Sequence, residues 1–253
     1  MDYTKIQLDI MPPVARITLN NPPLNVIDMP MMDELLSALV QVEEQPEVSA
    51  LVIGGTMRAF SAGVEVSIHT PDQVEAMLSR FHRVIHSVIT SKKVTIASVK
   101  RHCLGGGAEL ALVCDLVYCS NDAVFGFPEI KLGCYPPVAV TALAAVIGPR
   151  RAADLIFTAR SVEAKEALWM GLVNGTAADP ETLVDDALSR LRGLSPATLA
   201  VTKKAFYAWD AMHFDKGLAR AEQIYHDELM KTEDAQEGIQ AYLEKRRPVW
   251  KGK

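Results

Sequence analysis

Two glutamates sit where acidic side chains are out of place. Glu109 lies within Ala-Glu-Leu-Ala-Leu-Val and Glu129 within Phe125-Gly-Phe-Pro-Glu-Ile, each flanked by apolar residues. A carboxylate in such surroundings is costly unless it is paired or used, and burial raises its pKa toward the range of general acids and bases. Two of them facing one cavity can activate a water and deliver a proton. The competing role for Glu109 is structural, as a cap or as a partner of Lys100 or Lys131. Spacing alone does not choose between the two.

Two glycine-containing segments precede these glutamates. Ala59-Phe60-Ser61-Ala62-Gly63 follows an apolar run, and its small residues allow the backbone to approach a ligand closely. Leu104-Gly105-Gly106-Gly107-Ala108-Glu109 opens an apolar helix, whose first N–H groups lack intrahelical partners. One amide from each segment can form an oxyanion hole. Read singly, each segment is also ordinary turn chemistry.

Other candidates are weaker. His69 and His82, on either side of a helix start, can both approach such a cavity, although a loop histidine is more often structural. His82 and His86 have metal-ligand spacing without a third ligand nearby, so no metal is expected. Ser61 and Ser98 lack partners for a hydrolase triad. The cysteines, at 103, 114, 119 and 134, show no CxxC pair and read as apolar filler in a reduced compartment.

The elements that must position these residues alternate in the first half of the chain. Residues 6–10 and 14–19 read as paired strands around a Met-Pro-Pro turn. A helix is predicted over 29–44, and a buried strand over 50–54. The loop 56–70 is too long and too special in composition to be a mere connector. Thr70, Pro71 and Asp72 suit a helix start, and apolar residues from 74 to 89 keep helical spacing. A strand at 94–99, a short helix at 108–114 and a strand at 116–119 complete an α/β pattern. Beyond Pro136 helices dominate, predicted over 138–147, 151–157, 162–170, 180–191, 197–209, 218–232 and 235–244, with a strand-like run at 172–175. A soft boundary falls near 195, dividing a core of 1–195 from a helical region of 196–253.

Composition narrows the classes. With 253 residues, 49% apolar and 23% charged, the chain can bury a sizeable core. A net charge of −5 argues against a dominant nucleic-acid surface. No apolar run approaches the ~20 residues of a membrane span. The N-terminus lacks the pattern of a signal peptide, so a cytoplasmic location is expected.

These segments together resemble the crotonase superfamily, the enoyl-CoA hydratase/isomerase family. The resemblance rests on Asn25-Val26 after Pro-Pro, Phe60-Ser-Ala-Gly-Val-Glu, Leu104-Gly-Gly-Gly-Ala-Glu-Leu-Ala, Cys114-Asp115 and Phe125-Gly-Phe-Pro-Glu-Ile-Lys-Leu-Gly. Arg151-Ala152, Ala164-Lys-Glu-Ala-Leu, Gly171-Leu-Val-Asn and Lys245-Arg-Arg-Pro-Val-Trp continue it in family order. It implies a spiral of strand–strand–helix turns with a C-terminal helical region that takes part in trimerisation, and trimers or dimers of trimers. It implies an acyl-CoA substrate, no separate cofactor, and a thioester oxygen held by the amides of Ala62 and Gly106. Glu109 and Glu129 match the two carboxylates of hydratases, and having both favours hydration over isomerisation. Leu24, Val26 and Phe60 match segments lining the coenzyme A groove, and Lys251 is placed to meet nucleotide phosphates. The RNA-binding activity of some relatives fits poorly with the acidic balance here.

One departure stands out. Eight positions after the second glutamate, hydratases carry a glycine whose amide is thought to help hold the water. Here that position is Pro137, which has no N–H. The Pro136-Pro137 segment and the loop around His69 resemble hydratases of cyclic dienoyl-CoA thioesters, in which a ring demands a reshaped acyl pocket. Val64, His69, Tyr135, Pro136 and Pro137 are its candidate walls.

Overall fold

The computed structural model describes residues 3–56, 58–207 and 210–250. Two sheets share the strands. The larger has the order β1-β2-β3-β5-β7-β10, from β1 (Ile6–Met11), β2 (Val14–Leu19), β3 (Ala50–Gly55), β5 (Val94–Val99), β7 (Leu116–Ser120) and β10 (Gly175–Ala177). The smaller has the order β4-β6-β8-β9, from β4 (Ala59–Ser61), β6 (His102–Leu104), β8 (Val124–Gly126) and β9 (Ser161–Glu163). Among the described strands, only the β1/β2 and β8/β9 pairs are antiparallel. The central strand β3 is buried at Ala50, Leu51, Val52 and Ile53, as a strand covered on both faces must be.

The chain winds as a spiral. β3 enters the large sheet, β4 the small one, and α2 (Val74–Ile89) then crosses back. The next turn repeats this with β5, β6 and α3 (Gly106–Leu112), and the one after with β7, β8 and α4 (Pro137–Ile147). Ahead of them, α1 (Met29–Glu43) is capped by Asp28, whose side chain accepts from the Met31 amide at 2.9 Å. This is the expected strand–strand–helix architecture.

The later helices are α5 (Pro149–Thr158), α6 (Ala164–Met170), α7 (Glu181–Leu191), α8 (Pro196–Tyr207), α9 (Asp210–Asp227) and α10 (Glu233–Leu243). The helices beyond 195 add to the same core: Leu218, Tyr225, Met230 and Ile239 lie in one cluster with the strands. Lys203 of α8 reaches in to pair with Asp115 at 2.8 Å and to donate to the Lys93 carbonyl at 3.0 Å.

Several boundaries differ from expectation. The helix foreseen from Thr70 begins at Val74, because residues 70–73 form a turn in which the Thr70 carbonyl accepts from Gln73 and Val74. Val162 belongs to β9 rather than to a helix, and the late strand is Gly175–Ala177 rather than 172–175. The helix foreseen over 218–232 starts earlier and breaks at Asp227 into a 3-10 turn, Leu229–Lys231. The strands of the small sheet were implied by the resemblance but not located in the sequence. They are three residues each, too short to show alternation. The last two residues of the helix foreseen over 197–209 lie outside the described residues.

Candidate active site

Three parallel strands of the small sheet aim their carboxyl ends at one place. β4 leads into Ala62-Gly63-Val64, β6 into Gly105-Gly106, and β8 into the 3-10 turn Pro128–Leu132 that carries Glu129. The register pairs Ser61 with Cys103 and Leu104 with Gly126, so the three loops leave the sheet at one level. Crevices beyond the carboxyl ends of parallel strands are where α/β folds bind ligands.

Below the first loop, a buried asparagine ties the backbone. Asn25, at φ 52°, donates to the Ala59 carbonyl at 2.8 Å and accepts from the Asn21 amide at 3.0 Å. Ser61 donates to the Asn25 carbonyl at 2.7 Å and accepts from the Gly63 amide at 3.1 Å. This knot fixes Gly63 and Val64.

The amide expected at Ala62 is already engaged. It donates to the Leu24 carbonyl at 2.9 Å, which corrects its assignment as an oxyanion donor. Two residues on, a parallel bridge pairs Ile27 with Val64. That bridge uses the amides of Ile27 and Glu65, so the Val64 N–H points the other way. It points toward Gly106: a Cβ on Gly106 would lie 3.5 Å from the Val64 nitrogen and 2.6 Å from its Cγ2. Gly106 is the first residue of α3, so its N–H has no helical acceptor. Gly105, at φ 52°, makes the turn that presents it, and a Cβ there would meet Glu129 Oε1 at 2.7 Å.

The glutamates differ in environment. Glu109 Oε1 accepts from the amides of Val138 and Ala139, at 2.8 and 3.0 Å. These are the second and third residues of α4, and Pro137 is the first, where a missing N–H costs nothing. Burial raises the Glu109 pKa, while the Ala139 amide, His82 and the Val138 amide pull it back. Glu129 is pushed well above its ordinary value, first by burial and then by the charge of Glu109. Its Oε2 is buried without a hydrogen-bond partner among the described residues. Lys100, considered as a partner for Glu109, pairs instead with Asp179 at 3.0 Å.

Both glutamates, Val64 and Gly106 border a pocket of about 80 Å³. The expected walls His69, Tyr135, Pro136 and Pro137 all line it, as does Ala62. His69 Nδ1 lies 2.9 Å from the Glu65 carbonyl, which can only accept, so this nitrogen carries the proton. Desolvation lowers the His69 pKa, which keeps the ring neutral with Nε2 bare. Tyr135 donates its hydroxyl to the Ala221 carbonyl and packs edge-on against Tyr225, ring centroids 5.2 Å apart.

Sequence reasoning missed several walls, four of them on helices. Met77, Leu78 and Phe81 come from α2 and Tyr225 from α9, and all were indistinguishable from core residues at helical spacing. Phe60, assigned to the coenzyme A groove, is fully buried in the core and is corrected to a packing residue. Leu24 and Val26 are half-buried beside the site. Lys251 lies outside the described residues. Among the described residues no cluster of metal-ligating side chains occurs.

Two converging loop amides, two unlike carboxyls and a small apolar pocket on this spiral fit an enzyme class that holds a thioester enolate and moves protons around it. The enoyl-CoA hydratase/isomerase family matches residues 9–253, and the chain belongs to that family. It is 31% identical to cyclohexa-1,5-dienecarbonyl-CoA hydratase of Thauera aromatica, over 98% of this chain and 97% of that one. It is 34% identical to a probable enoyl-CoA hydratase of Bacillus subtilis (strain 168), covering 94% and 95%. A crystal structure of an enoyl-CoA hydratase from Mycobacterium avium subsp. paratuberculosis K-10 superposes with a TM-score of 0.88 at 28% identity, covering 98% and 99%. The chain is an enzyme of the hydratase type, a carbon–oxygen lyase.

Proposed function

We propose that the chain adds water to a cyclic dienoyl-CoA thioester, with Glu109 as base and Glu129 as acid. The observation that carries the division of roles is the unequal solvation of the two carboxyls. Glu109 has two amide donors, which favour its ionised form. Glu129 Oε2 has none and feels the charge of Glu109, which favours the protonated form. One ionised and one neutral carboxyl is the state that hydration needs.

The steps then balance. Glu109 takes one proton from water as its oxygen bonds to the electrophilic carbon. The displaced π electrons reach the thioester oxygen, which accepts from the amides of Val64 and Gly106. Removing one such donor typically costs ~100- to 1,000-fold in rate. The enolate collapses as Glu129 delivers its proton to carbon. A proton passed from Glu109 to Glu129 restores the starting state, so no further cofactor is called for. The absent amide at Pro137 is no loss in this scheme, since its neighbours serve Glu109 itself.

The ring is supported by the small size of the pocket and by Tyr135 and Tyr225, whose rings stand edge-on at 5.2 Å on its wall. The Thauera relative's name supports the same choice. Leu24 and Val26 are assigned to the coenzyme A groove. Assembly as a trimer or dimer of trimers and a cytoplasmic location belong to this reading, with no nucleic-acid or membrane partner. Exposed Phe157, Trp169 and Phe206 are side chains of the kind an interface covers.

The test is incubation with crotonyl-CoA and with cyclohexa-1,5-diene-1-carbonyl-CoA, followed by mass spectrometry. A gain of one water on the cyclic diene, with little on crotonyl-CoA, is expected. The reverse preference would overturn the ring assignment, and isomerisation without mass change would overturn hydration. Glu109→Gln and Glu129→Gln should each nearly abolish turnover while thioester binding persists. Retained activity in both would sink the mechanism.

A further inference from the structure

His69 hangs from the same backbone as the Val64 amide. The residue after Val64, Glu65, donates its amide to the Ile27 carbonyl at 3.0 Å. A 3-10 turn, Val66–Ile68, follows and ends at His69, whose amide donates to the Val66 carbonyl at 3.1 Å. The ring folds back over this turn, and its Nδ1 donates to the Glu65 carbonyl at 2.9 Å. The imidazole is thus held through both its backbone and its ring, a single turn from the loop that faces Gly106.

That anchoring accounts for one nitrogen and leaves the other. With the proton on Nδ1 and the ring kept neutral by burial, Nε2 is a lone-pair acceptor. It has no hydrogen-bond partner among the described residues, yet it is not one of the unpaired atoms sealed away inside the protein. The ring lines the pocket, where the two glutamates are the other titratable acids. The Tyr135 hydroxyl is taken by the Ala221 carbonyl, and that of Tyr225 is engaged by Cys134. The rest of the wall, including Val64, Met77, Leu78 and Phe81, is apolar. An acceptor kept in such a wall is costly whenever plain hydrocarbon lies against it. Holding the turn needs only Nδ1, so the fold does not explain Nε2.

We propose that His69 determines specificity, its Nε2 accepting a hydrogen bond from a hydroxyl on the acyl ring. The inference deepens the reading above and rests on this pocket holding the acyl group. A hydrocarbon ring leaves the lone pair unpaired, whereas a ring hydroxyl satisfies it. Sites built around such a pair reject the analogue that lacks the group. Because the imidazole is tied to the turn after Val64, it meets the ring at a fixed offset from the thioester oxygen. Only a hydroxyl at the matching ring position reaches it. Two sources supply this chemistry: a substituent the substrate already carries, or the hydroxyl that hydration itself adds.

The test reads binding, so that it does not depend on turnover. Cyclohexanecarbonyl-CoA, which has no double bond to hydrate, and its 2-, 3- and 4-hydroxy derivatives are titrated calorimetrically into the parent and into His69→Phe. The parent should bind at least one hydroxy ring about tenfold or more tighter than the plain ring, the scale of one hydrogen bond. Preference for the 2-hydroxy ring identifies the hydroxyl that hydration places on the carbon next to the one bearing the thioester. Preference for the 3- or 4-hydroxy ring identifies a substituent already on the substrate. Phenylalanine keeps the ring shape without the acceptor, so the preference should vanish in the variant. No preference in the parent, no binding of any ring, or a preference that survives in His69→Phe overturns the inference. Should that variant not fold or not bind, His69→Leu takes its place, with the same reading. A preference that depends on His69, in a protein that hydrates no thioester, supports this inference and refutes the hydratase reading alone.

Discussion

Glu109 takes the Val138 amide at 2.8 Å, one residue past the proline that opens α4. The proline therefore sits where the helix can spare an N–H, while the next two amides hold the carboxylate. We expect Pro137→Ala to retain turnover within about tenfold, a barrier change of no more than ~1.4 kcal/mol. Measurement of kcat on the hydrated thioester checks this. A loss of a hundredfold or more would mean that the proline ring itself shapes the reacting geometry.

Gly106→Ala should be far more damaging. The added methyl would sit 2.6 Å from Val64 Cγ2 and 3.1 Å from Phe81 Cζ, and must push the two oxyanion loops apart. Turnover should fall by at least ~100-fold, the usual cost of one lost donor. Thermal unfolding run alongside separates this from collapse of the fold. A variant with near-parent kcat would remove Gly106 from the oxyanion assignment.

Glu129 makes the fold sensitive to alkali. Its folded pKa is raised above the unfolded value, so the folded state binds the proton more tightly. Its contribution is thus fully present below the unfolded pKa, near 4.3, and is lost as pH rises through the folded pKa. Glu129→Gln abolishes the titration. The variant should gain Tm relative to the parent more at pH 8 than at pH 5. A difference independent of pH would contradict the assigned burial.

Lys203 ties the C-terminal helices to the sheet through a nearly dry ion pair, its side chain 7% and that of Asp115 14% exposed. Asp115 also accepts from the Thr95 amide at 2.7 Å. Lys203→Ala leaves that carboxylate uncompensated and should cost about 3–5 kcal/mol. Urea unfolding gives the value. A change below ~1 kcal/mol would show the pair to be as weak as a surface one.

The position of the two glutamates stood out in the sequence because burial and charge conflict there. Glu109 and Glu129 betrayed themselves by their apolar neighbours, and His69, Tyr135, Pro136 and Pro137 reached the pocket as expected. Backbone donors were harder. Ala62 and Val64 are two residues apart, and only the bridge to Ile27 shows which amide is free. Phe60 was misplaced because a fully buried aromatic and a groove-lining one look alike in sequence. Tyr225 was invisible for another reason. It stands 96 residues after Glu129, and nothing local ties it to the site.

That separation of Tyr225 from the glutamates has a consequence for how such enzymes diverge. The two glutamates proposed to move protons ride on the spiral, whereas part of the pocket wall rides on α9. Substitutions on one helical segment can thus retune which acyl groups fit, leaving the reactive machinery untouched. On the proposed roles, selectivity and chemistry rest on separate stretches of chain.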